Sequence, residues 1–372
     1  MRIALVVPGG VDRSGEYRVI PALLALIARL SLHNEVHVFA LLQEATAGDW
    51  ELAGAHIHNI GLRPTHWHAI RAIWKMHRVF AFDVIHAIWS GKCGFAAAVA
   101  GRLLGVPSLV HVAGGELVSI PEIDYGGART WSGRLRESLV LRAVCAVTAA
   151  SEPTIAALSL IGIAAERVPL GVDLMSWPPR APLRRDRARP ARLIHVASLN
   201  RIKDQATLLR ALAELMRAGM PFEMDVVGED ILHGEVQALT ERLGLSTVVR
   251  FHGFLTQRQM RPLLEAAHIM VISSRHETGP LAVLEAAVVG VPTAGTRVGH
   301  IAEWEPQAAL SAPIGDWVRL AGSIRRLMED EDLRLGIAQE AHRRAIREDA
   351  VFTAERFHAL YARCSRSRPS PA

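Results

Sequence analysis

Residues 273–285 have the sequence SSRHETGPLAVLE and lie between two apolar runs. The run before Glu277, residues 268–272, has the length and composition of a buried parallel strand. The run after Pro280, residues 281–288, has the composition of a buried helix. Ligands of open α/β sheets bind at the carboxyl ends of the strands, so Glu277 is predicted to lie at a binding edge.

The Gly-Pro turn is suited to a nucleotide sugar. Pro280 fits a first helical position, which leaves the amides of residues 281–283 available to an anion such as a diphosphate. Glu285 follows about one and a half turns later and is placed to accept hydrogen bonds from a ribose diol. The alternative is that Glu277 is only a carboxylate favoured by the dipole at a helix start and that Glu285 is a solvated helix residue.

Short apolar strands alternate with helical patterns along the chain. In the first half the predicted strands are 3–7, 35–40, 84–87, 109–112 and 146–148, with helical patterns at 21–30 and 95–104. After a stretch rich in proline and arginine, further strands are predicted at 193–197, 224–227, 248–251, 268–272 and 292–295. This alternation predicts an α/β protein with two Rossmann-like domains facing each other across a cleft.

Length and composition agree with two domains. A chain of 372 residues exceeds what one core usually supports, and half of its residues are hydrophobic, which excludes disorder. The cysteines, Cys93, Cys145 and Cys364, are odd in number and far apart, so neither a disulfide framework nor a zinc ribbon is expected. No signal-peptide layout and no long uncharged apolar span occurs, so we expect a soluble or peripheral cytoplasmic protein.

The segment around Glu277, followed by GVPTAGT at 290–296 and GHIAE at 299–303, resembles the donor-binding half of the retaining glycosyltransferases of family 4. That family has the two-domain GT-B fold, and the resemblance covers nearly the whole chain. It implies an acceptor-binding domain at 1–177, a linker at 178–191 and a nucleotide-sugar-binding domain at 192–348. A C-terminal helix at about 350–365 is expected to pack back on the first domain.

The resemblance also implies a phosphate-binding turn at 197–204, where the family carries an Arg and, five residues on, a Lys. Lys203 matches, Ser198 stands in place of the Arg, and Arg201 is a candidate for the missing charge. Fixed cations here lower the barrier to loss of a nucleoside diphosphate. The alternative is a solvated Arg and Lys on a turn.

Further donor-binding residues follow from the same resemblance. Glu277 would hold hydroxyls of the donor sugar and Glu285 the ribose, while the segment at 250–254 would lie beside the base. That segment includes Gly253 and, as a wall, Phe254. Independently of the resemblance, Gly279, Pro280 and Leu281 form the turn that opens the helix after Glu277, and Gly9 and Gly10 follow the first predicted strand, where they would let backbone amides approach a phosphate or sugar closely.

The first domain departs from the family at the end of its predicted strand 109–112. Ala113 occupies the place of a His that contacts the transferred sugar, and His111 is one pleat too early to replace it. Glu116, in a Gly-Gly turn, is a candidate to bind the acceptor or take its proton, or is simply a polar loop residue. Residues 122–125 are a second candidate for the acceptor pocket.

A bound metal or other cofactor is not expected. The only DxD, at 330–332, lies between two helical patterns and suits a helix cap, and no histidine or cysteine grouping has ligand spacing. The phosphate charge would then be met by Lys203, Arg201 and helix dipoles.

Two stretches concentrate the cations behind the net charge of +5. Residues 63–80 combine basic and aromatic side chains without an acidic one, and residues 129–142 carry four arginines and one glutamate. Such helices are candidates for peripheral contact with an anionic membrane, although inward packing of the aromatics is the simpler interpretation. No nucleic-acid motif accompanies them, so no nucleic-acid partner is expected.

Together the residues and the resemblance predict a metal-independent hexosyltransferase. It would use a UDP- or GDP-linked sugar and a carbohydrate or lipid-linked acceptor, in cell-envelope, polysaccharide or glycolipid synthesis. A nucleotide-sugar epimerase of the same fold and a non-catalytic nucleotide- or sugar-binding module are the alternatives. A nicotinamide enzyme is disfavoured because the chain lacks a GxGxxG fingerprint.

Overall fold

The computed structural model describes residues 1–61 and 63–366, which form two compact α/β units. The first unit comprises Met1–Gly171 together with the chain from Ala350 onward, and the second comprises Val172–Asp349. Each is built on one sheet of mainly parallel strands. This confirms the predicted α/β class with two Rossmann-like domains.

The strands are β1 Arg2–Val7, β2 Glu35–Ala40, β3 Gly48–Leu52, β4 Ala55–Asn59, β5 Val84–Ile88, β6 Ser108–Val112, β7 Ala146–Ala149, β8 Glu166–Arg167, β9 Ala191–Val196, β10 Phe222–Val227, β11 Val249–Gly253, β12 Ile269–Ile272, β13 Thr293–Thr296 and β14 Ala309–Ala312. The α-helices are α1 Pro21–Ser31, α2 Thr65–Phe80, α3 Phe95–Leu104, α4 Trp131–Ala143, α5 Glu152–Leu160, α6 Gln205–Arg217, α7 Glu235–Arg242, α8 Gln257–Ala266, α9 Leu281–Val288, α10 Gly299–Trp304, α11 Trp317–Glu329, α12 Glu331–Arg347 and α13 Ala350–Arg366. Shorter helical turns occur at Ser90–Gly94, Pro121–Ile123 and Gly127–Arg129.

The sheet of the first unit has the order β3-β4-β2-β1-β5-β6-β7-β8. Its strands pair in parallel except for β3, which runs antiparallel to β4. Ala53 and Gly54 join these two strands with φ of 52° and 79°, the backbone that a tight hairpin requires. The strand order reverses between β1 and β5, so the loops after these strands open beside each other.

The second sheet has the order β11-β10-β9-β12-β13-β14, and every pair in it is parallel. Its order reverses between β9 and β12. Helices cover both faces, and α6 and α11 pack together with the strands in one apolar core. Loops 197–204 and 273–280 therefore meet at the switch point of this unit, where open α/β sheets bind ligands.

The boundary between the units differs from the predicted linker. The chain divides at Gly171, and residues 178–191 belong to the second unit. Arg184 donates to Asp332 at 2.6 Å, and the amide of Arg185 donates to Glu331 at 2.9 Å. Two of the arginines that made this stretch resemble a linker, Arg184 and Arg185, are thus bound to the acidic start of α12.

The C-terminal helix α13 lies in the first unit against α1. Phe357, Leu360 and Tyr361 are buried in its core, and Tyr361 is hydrogen-bonded to Nδ1 of His86 at 2.7 Å. The expectation of no disulfide is wrong, because a disulfide joins Cys145 to Cys364 across 219 positions of sequence. Spacing rules identify neighbouring cysteines and carry no information about this contact.

No helix among residues 1–61 and 63–366 is long and apolar enough to cross a membrane.

Candidate active site

The switch point of the second unit brings two predicted site residues together. Lys203 Nζ lies 2.5 Å from Glu277 Oε1, and Ser274 Oγ donates to the same oxygen at 2.7 Å. The backbone sets this geometry, since the amide of Arg275 donates to the carbonyl of Ile202 at 2.7 Å. Lys203 and Glu277 keep 25% and 14% of their side chains exposed, so a ligand can reach both.

Within the described residues, Lys203 and Ser274 both donate to Oε1 of Glu277, which leaves Oε2 for a ligand. The site therefore offers a cation, Lys203, and a carboxylate oxygen at the carboxyl ends of adjacent strands. This combination can bind a phosphate and a sugar hydroxyl next to each other.

A buried layer below the pair fixes the first of the two loops. His195 on β9 is hydrogen-bonded through Nδ1 to the carbonyl of Val271 at 2.8 Å and through Nε2 to Gln205 at 3.2 Å. Burial lowers the pKa of His195 to about 4, so the ring is neutral. Gln205 also donates to the carbonyl of Ser198 at 3.1 Å. The sequence analysis identified neither His195 nor Gln205. The position of Gln205, directly after the turn that carries Lys203, was the one signal that could have indicated its role.

Arg201, the candidate for the charge that Ser198 lacks, does not lie against Glu277 as a second cation. The guanidinium of Arg201 donates to both carboxylate oxygens of Glu235 at 3.0 Å, and both side chains are exposed. Glu235 is the first residue of α7, so Arg201 is paired with a neighbouring helix. Lys203 is thus the cation that the structure places against Glu277.

Glu285 lies inside α9 with 6% of its surface exposed, which overturns the alternative of a solvated helix residue. It accepts a hydrogen bond from Nε2 of Gln257 at 2.8 Å, and burial raises its pKa to about 7. Gln257 stands at the start of α8 and was not predicted. This buried carboxyl has one neutral partner and further capacity to accept hydrogen bonds, so it is suited to bind a hydroxyl of a ligand.

The turn before α9 is shaped by a glycine of the next loop. Pro280 precedes the helix, which begins at Leu281, so the prediction that Pro280 opens the helix is wrong by one residue. The amide of Val283 donates to the Pro280 carbonyl at 3.1 Å and is therefore not available to an anion. A Cβ on Gly299 would lie 2.9 Å from Pro280 Cδ, so glycine is needed where α10 packs against the Gly279-Pro280 turn.

The ends of β10 and β11 complete this edge of the sheet. The amide of Gly228 donates to the carbonyl of Gly253 at 2.8 Å. Gly228 has φ of 151°, and a Cβ there would lie 2.0 Å from the carbonyl oxygen of Ala197. Phe254 follows Gly253 with about half of its side chain exposed, a position suited to a hydrophobic wall.

The glycines after β1 have a structural use that the sequence did not indicate. Oε1 of Gln43 accepts from the amides of Gly10 and Val11 at 2.6 and 3.0 Å. A Cβ on Gly9 would lie 3.2 Å from the same oxygen. The prediction that these amides contact a phosphate or sugar therefore fails for Gly10, whose amide already has a partner.

The first unit has a cavity of about 1050 Å³ at its own switch point, beside the loops after β1 and β5. It is lined by Pro8, Leu41, Leu42, Arg63, Pro64, Thr65, His66, Trp89, Gly91, Lys92, Cys93, Gly115, Glu116, Tyr125, Gly126 and Gly127. Of the candidates Glu122, Asp124 and Tyr125, Tyr125 is among the lining residues, and Glu122 and Asp124 are not. The volume of the cavity is sufficient for a small organic acceptor.

Glu116 is buried in the wall of this cavity with both oxygens bound. Oε1 accepts from the amide of Ser90 at 3.0 Å and Oε2 from the amide of Gly114 at 2.7 Å. Burial, together with the nearby carboxylate of Glu137, raises the pKa of Glu116 to about 7. The carboxyl thus holds two turns of the wall together, a role the sequence did not predict. His111 points into the core, where Nδ1 is hydrogen-bonded to Thr148 at 2.9 Å, as predicted.

Among the described residues no group of three or more His, Cys, Asp and Glu side chains is arranged to hold a metal ion. The DxD at 330–332 caps α12, since the side chain of Asp330 accepts from the amide of Leu333 at 2.9 Å. Glu331 is paired with the buried guanidinium of Arg334.

Two family models match most of the chain. Residues 15–171 match a glycosyl transferase 4-like domain, and residues 190–330 match the glycosyl transferases of group 1. A D-inositol 3-phosphate glycosyltransferase of Corynebacterium jeikeium is 30% identical over 52% of this chain and 50% of the relative. A GDP-mannose-dependent alpha-(1-6)-phosphatidylinositol dimannoside mannosyltransferase of Mycobacterium tuberculosis is 33% identical over 37% of this chain and 36% of the relative. The chain thus spans about half or less of the length of these two relatives.

Solved structures share the fold over nearly the full chain. The sucrose-phosphate synthase of Thermosynechococcus elongatus superimposes with a TM-score of 0.80 at 16% identity, covering 98% of this chain and 99% of that one. The Anabaena protein HepE in complex with UDP-glucose gives 0.73 at 20% identity, covering 97% and 99%.

Proposed function

We propose that this chain, which belongs to the family 4 glycosyltransferases with the GT-B fold, is a retaining enzyme that transfers a hexosyl unit from a nucleotide-diphosphate sugar to an acceptor hydroxyl. The observation that carries the proposal is the Lys203–Glu277 pair at the switch point of the second unit. Glu285, which is buried within α9, is the second carboxyl of the site.

In the proposed reaction the bond from the anomeric carbon to the diphosphate breaks while a bond to the acceptor oxygen forms on the same face of the sugar, and the proton of the acceptor hydroxyl passes to the leaving diphosphate. Lys203 meets the negative charge that develops on the leaving diphosphate, with help from the first amides of α9, including that of Leu281. Glu277 offers Oε2 to hydroxyls of the donor sugar and keeps Lys203 in position through Oε1. Glu285 accepts from the ribose diol.

The proposed donor is a UDP- or GDP-linked hexose. HepE was solved with UDP-glucose, and the mycobacterial relative is named for its dependence on GDP-mannose. The proposed acceptor is a carbohydrate or a lipid-linked saccharide. We propose no resident cofactor, since Lys203 and the start of α9 supply positive charge for the diphosphate, and turnover is expected to persist in EDTA.

A thermal-shift titration with UDP, GDP, ADP and NAD tests the donor site. A ligand at a hundred times its dissociation constant stabilises the folded state by about 2.7 kcal/mol. One nucleoside diphosphate should raise Tm in the wild type and less in Glu285→Ala. Incubation with the matching nucleotide sugar then separates the activities: release of nucleoside diphosphate only with an acceptor supports transfer, whereas isomerisation of the donor alone indicates an epimerase.

We also propose peripheral contact with an anionic membrane, from the cytoplasmic side, through α4. Trp131, Leu135 and Leu139 follow each other at helical spacing and are 72%, 50% and 61% exposed. Arg134 and Arg142 flank this apolar stripe on the same helix. Sedimentation with phosphatidylglycerol vesicles, but not with phosphatidylcholine vesicles, is expected, and Leu135→Ser combined with Leu139→Ser should abolish it.

A further inference from the structure

We infer that the cavity of the first unit selects acceptors in which a sugar or polyol ring carries an anionic group, a phosphate or a carboxylate. The inference rests on the proposed function and names the class of its acceptor.

Cations without acidic partners line one side of the cavity. Arg63, His66 and Lys92 are lining residues, and neither Arg63 nor Lys92 forms an ion pair within residues 1–61 and 63–366. Burial lowers the pKa of His66, and the positive charges of Lys92 and Arg136 lower it further. His66 is therefore neutral near pH 7 and lies close to Lys92. Lys92, Arg63 and the neutral ring of His66 all line the cavity and form what we call its cationic corner.

Two nitrogen atoms, one in this corner and one on a residue that acts electrostatically on His66, are buried without a hydrogen-bond partner in the described part of the chain. They are Nδ1 of His66 and Nε of Arg136. A buried polar atom left unpaired costs about 1–3 kcal/mol, so such atoms are usually satisfied by a ligand or water. An oxyanion between His66, Lys92 and Arg63 would accept from several of these donors together.

The carboxyls that face the corner do not cancel its charge. Glu116 and Glu137 are both buried, and burial raises the pKa of each. Glu116 is bound to two backbone amides, and Glu137 accepts from the hydroxyl of Ser90. Glu137 interacts with Arg136, which leaves Arg63 and Lys92 as the uncompensated cations.

The rest of the wall is suited to a ring. A Cβ on Gly115 would lie 2.5 Å from the ring of Tyr125, and a Cβ on Gly114 would lie 3.1 Å from Trp89. Because these two glycines have no side chain, the rings of Tyr125 and Trp89 can lie directly against the backbone. Both rings line the cavity. Aromatic faces pack against the apolar C–H face of a sugar or cyclitol while its hydroxyls remain available for hydrogen bonds.

The experiment compares matched acceptors with and without an anionic group. The pairs are glucose and glucose 6-phosphate, glucose and glucuronate, and myo-inositol and myo-inositol 1-phosphate. Binding to the full chain is followed by ligand-detected NMR, and transfer by release of nucleoside diphosphate from the donor that the nucleotide titration identifies. Lys92→Gln and Arg63→Gln are compared with Arg102→Gln, which removes one charge from the exposed end of α3 outside the cavity.

We expect an anionic member to bind at least about tenfold more tightly than its neutral partner. Lys92→Gln should raise KM for that acceptor by about tenfold without changing KM for the donor, and Arg102→Gln should change neither. Equal or tighter binding of the neutral members, or the same KM in Lys92→Gln and Arg102→Gln, overturns the inference.

The two proposals fail separately. Transfer to neutral acceptors that is insensitive to Lys92→Gln would leave the glycosyltransferase intact and remove the anionic acceptor. Preferential binding of the anionic members without nucleoside diphosphate release from any donor would leave the cationic cavity intact and remove the proposed reaction.

Discussion

Replacing Glu285 by glutamine is expected to stabilise the free protein at alkaline pH and to weaken its binding of nucleotide. The side chain is buried, has one neutral partner, Gln257, and has a pKa raised by burial to about 7 from an ordinary value of 4.5. Because the folded state holds the proton more tightly than the unfolded chain, this group favours folding below pH 4.5. That contribution is lost as the pH rises from 4.5 to 7.

The size of the effect follows from the same values. Each pH unit of difference between folded and unfolded pKa corresponds to about 1.4 kcal/mol, so the full cost of ionising Glu285 above pH 7 is about 3 kcal/mol. Glutamine keeps an oxygen that accepts from Gln257 and carries no charge to desolvate. The gain in unfolding free energy of Glu285→Gln over the wild type should therefore be near zero at pH 4.5 and approach 3 kcal/mol at pH 8.

The assay is urea denaturation of both proteins at pH 5, 6, 7 and 8, with Glu241→Gln on the exposed face of α7 as the control. The difference between variant and wild type cancels the other groups that titrate in this range. Nucleotide affinity is measured in parallel and should fall by about tenfold, the loss of one charged hydrogen bond. A stability difference that is the same at pH 5 and pH 8, as in the control, would refute the assignment of a buried, protonatable carboxyl.

Three further outcomes are expected. Lys203→Met should lower kcat for transfer by about 10²- to 10³-fold, measured as nucleoside diphosphate release, with retained folding by circular dichroism; an unchanged kcat would remove Lys203 from the reaction. Gly228→Ala should cost at least about 2 kcal/mol of stability because its Cβ meets a carbonyl, whereas Gly322→Ala, in the open middle of α11, should stabilise by about 0.5–1 kcal/mol; equal Tm shifts would contradict this. Burial lowers the pKa of His111 to about 3 and that of His195 to about 4, so each ring destabilises the folded state as the pH falls below 6.5, where the unfolded chain takes up protons first. The stability of the wild type relative to His111→Asn should therefore fall between pH 7 and pH 4 in urea denaturation, because this difference cancels the opposite contribution of Glu285; a difference that does not change with pH would contradict the buried neutral ring.

The central pair of the donor site was predictable because parallel strands in a buried sheet are continuous apolar runs. Such runs are visible in a single sequence, and their carboxyl ends fix where the next residues lie. Lys203 follows β9 and Glu277 follows β12, and these two strands are neighbours in the second sheet.

The partners of these residues were not predictable, since each depends on a contact between elements far apart in sequence. Arg201 was taken as a phosphate ligand because its neighbours matched, yet Glu235 on the next helix accepts from it. Gln257 and Glu285 meet only when α8 and α9 are packed. Pairing of Cys145 with Cys364 likewise follows from where α13 lies.

The position of α13 governs the order in which the chain can fold during synthesis. Phe357 and Tyr361 complete the core of the first unit, yet the ribosome makes them only after the whole second unit. The usual sequence, in which an N-terminal domain closes before the next one is made, is therefore not open to this chain. Until α13 emerges, the core side chains that it covers and the ring of His86 lack these partners, so we expect the first unit to complete its folding only after the second unit has been made.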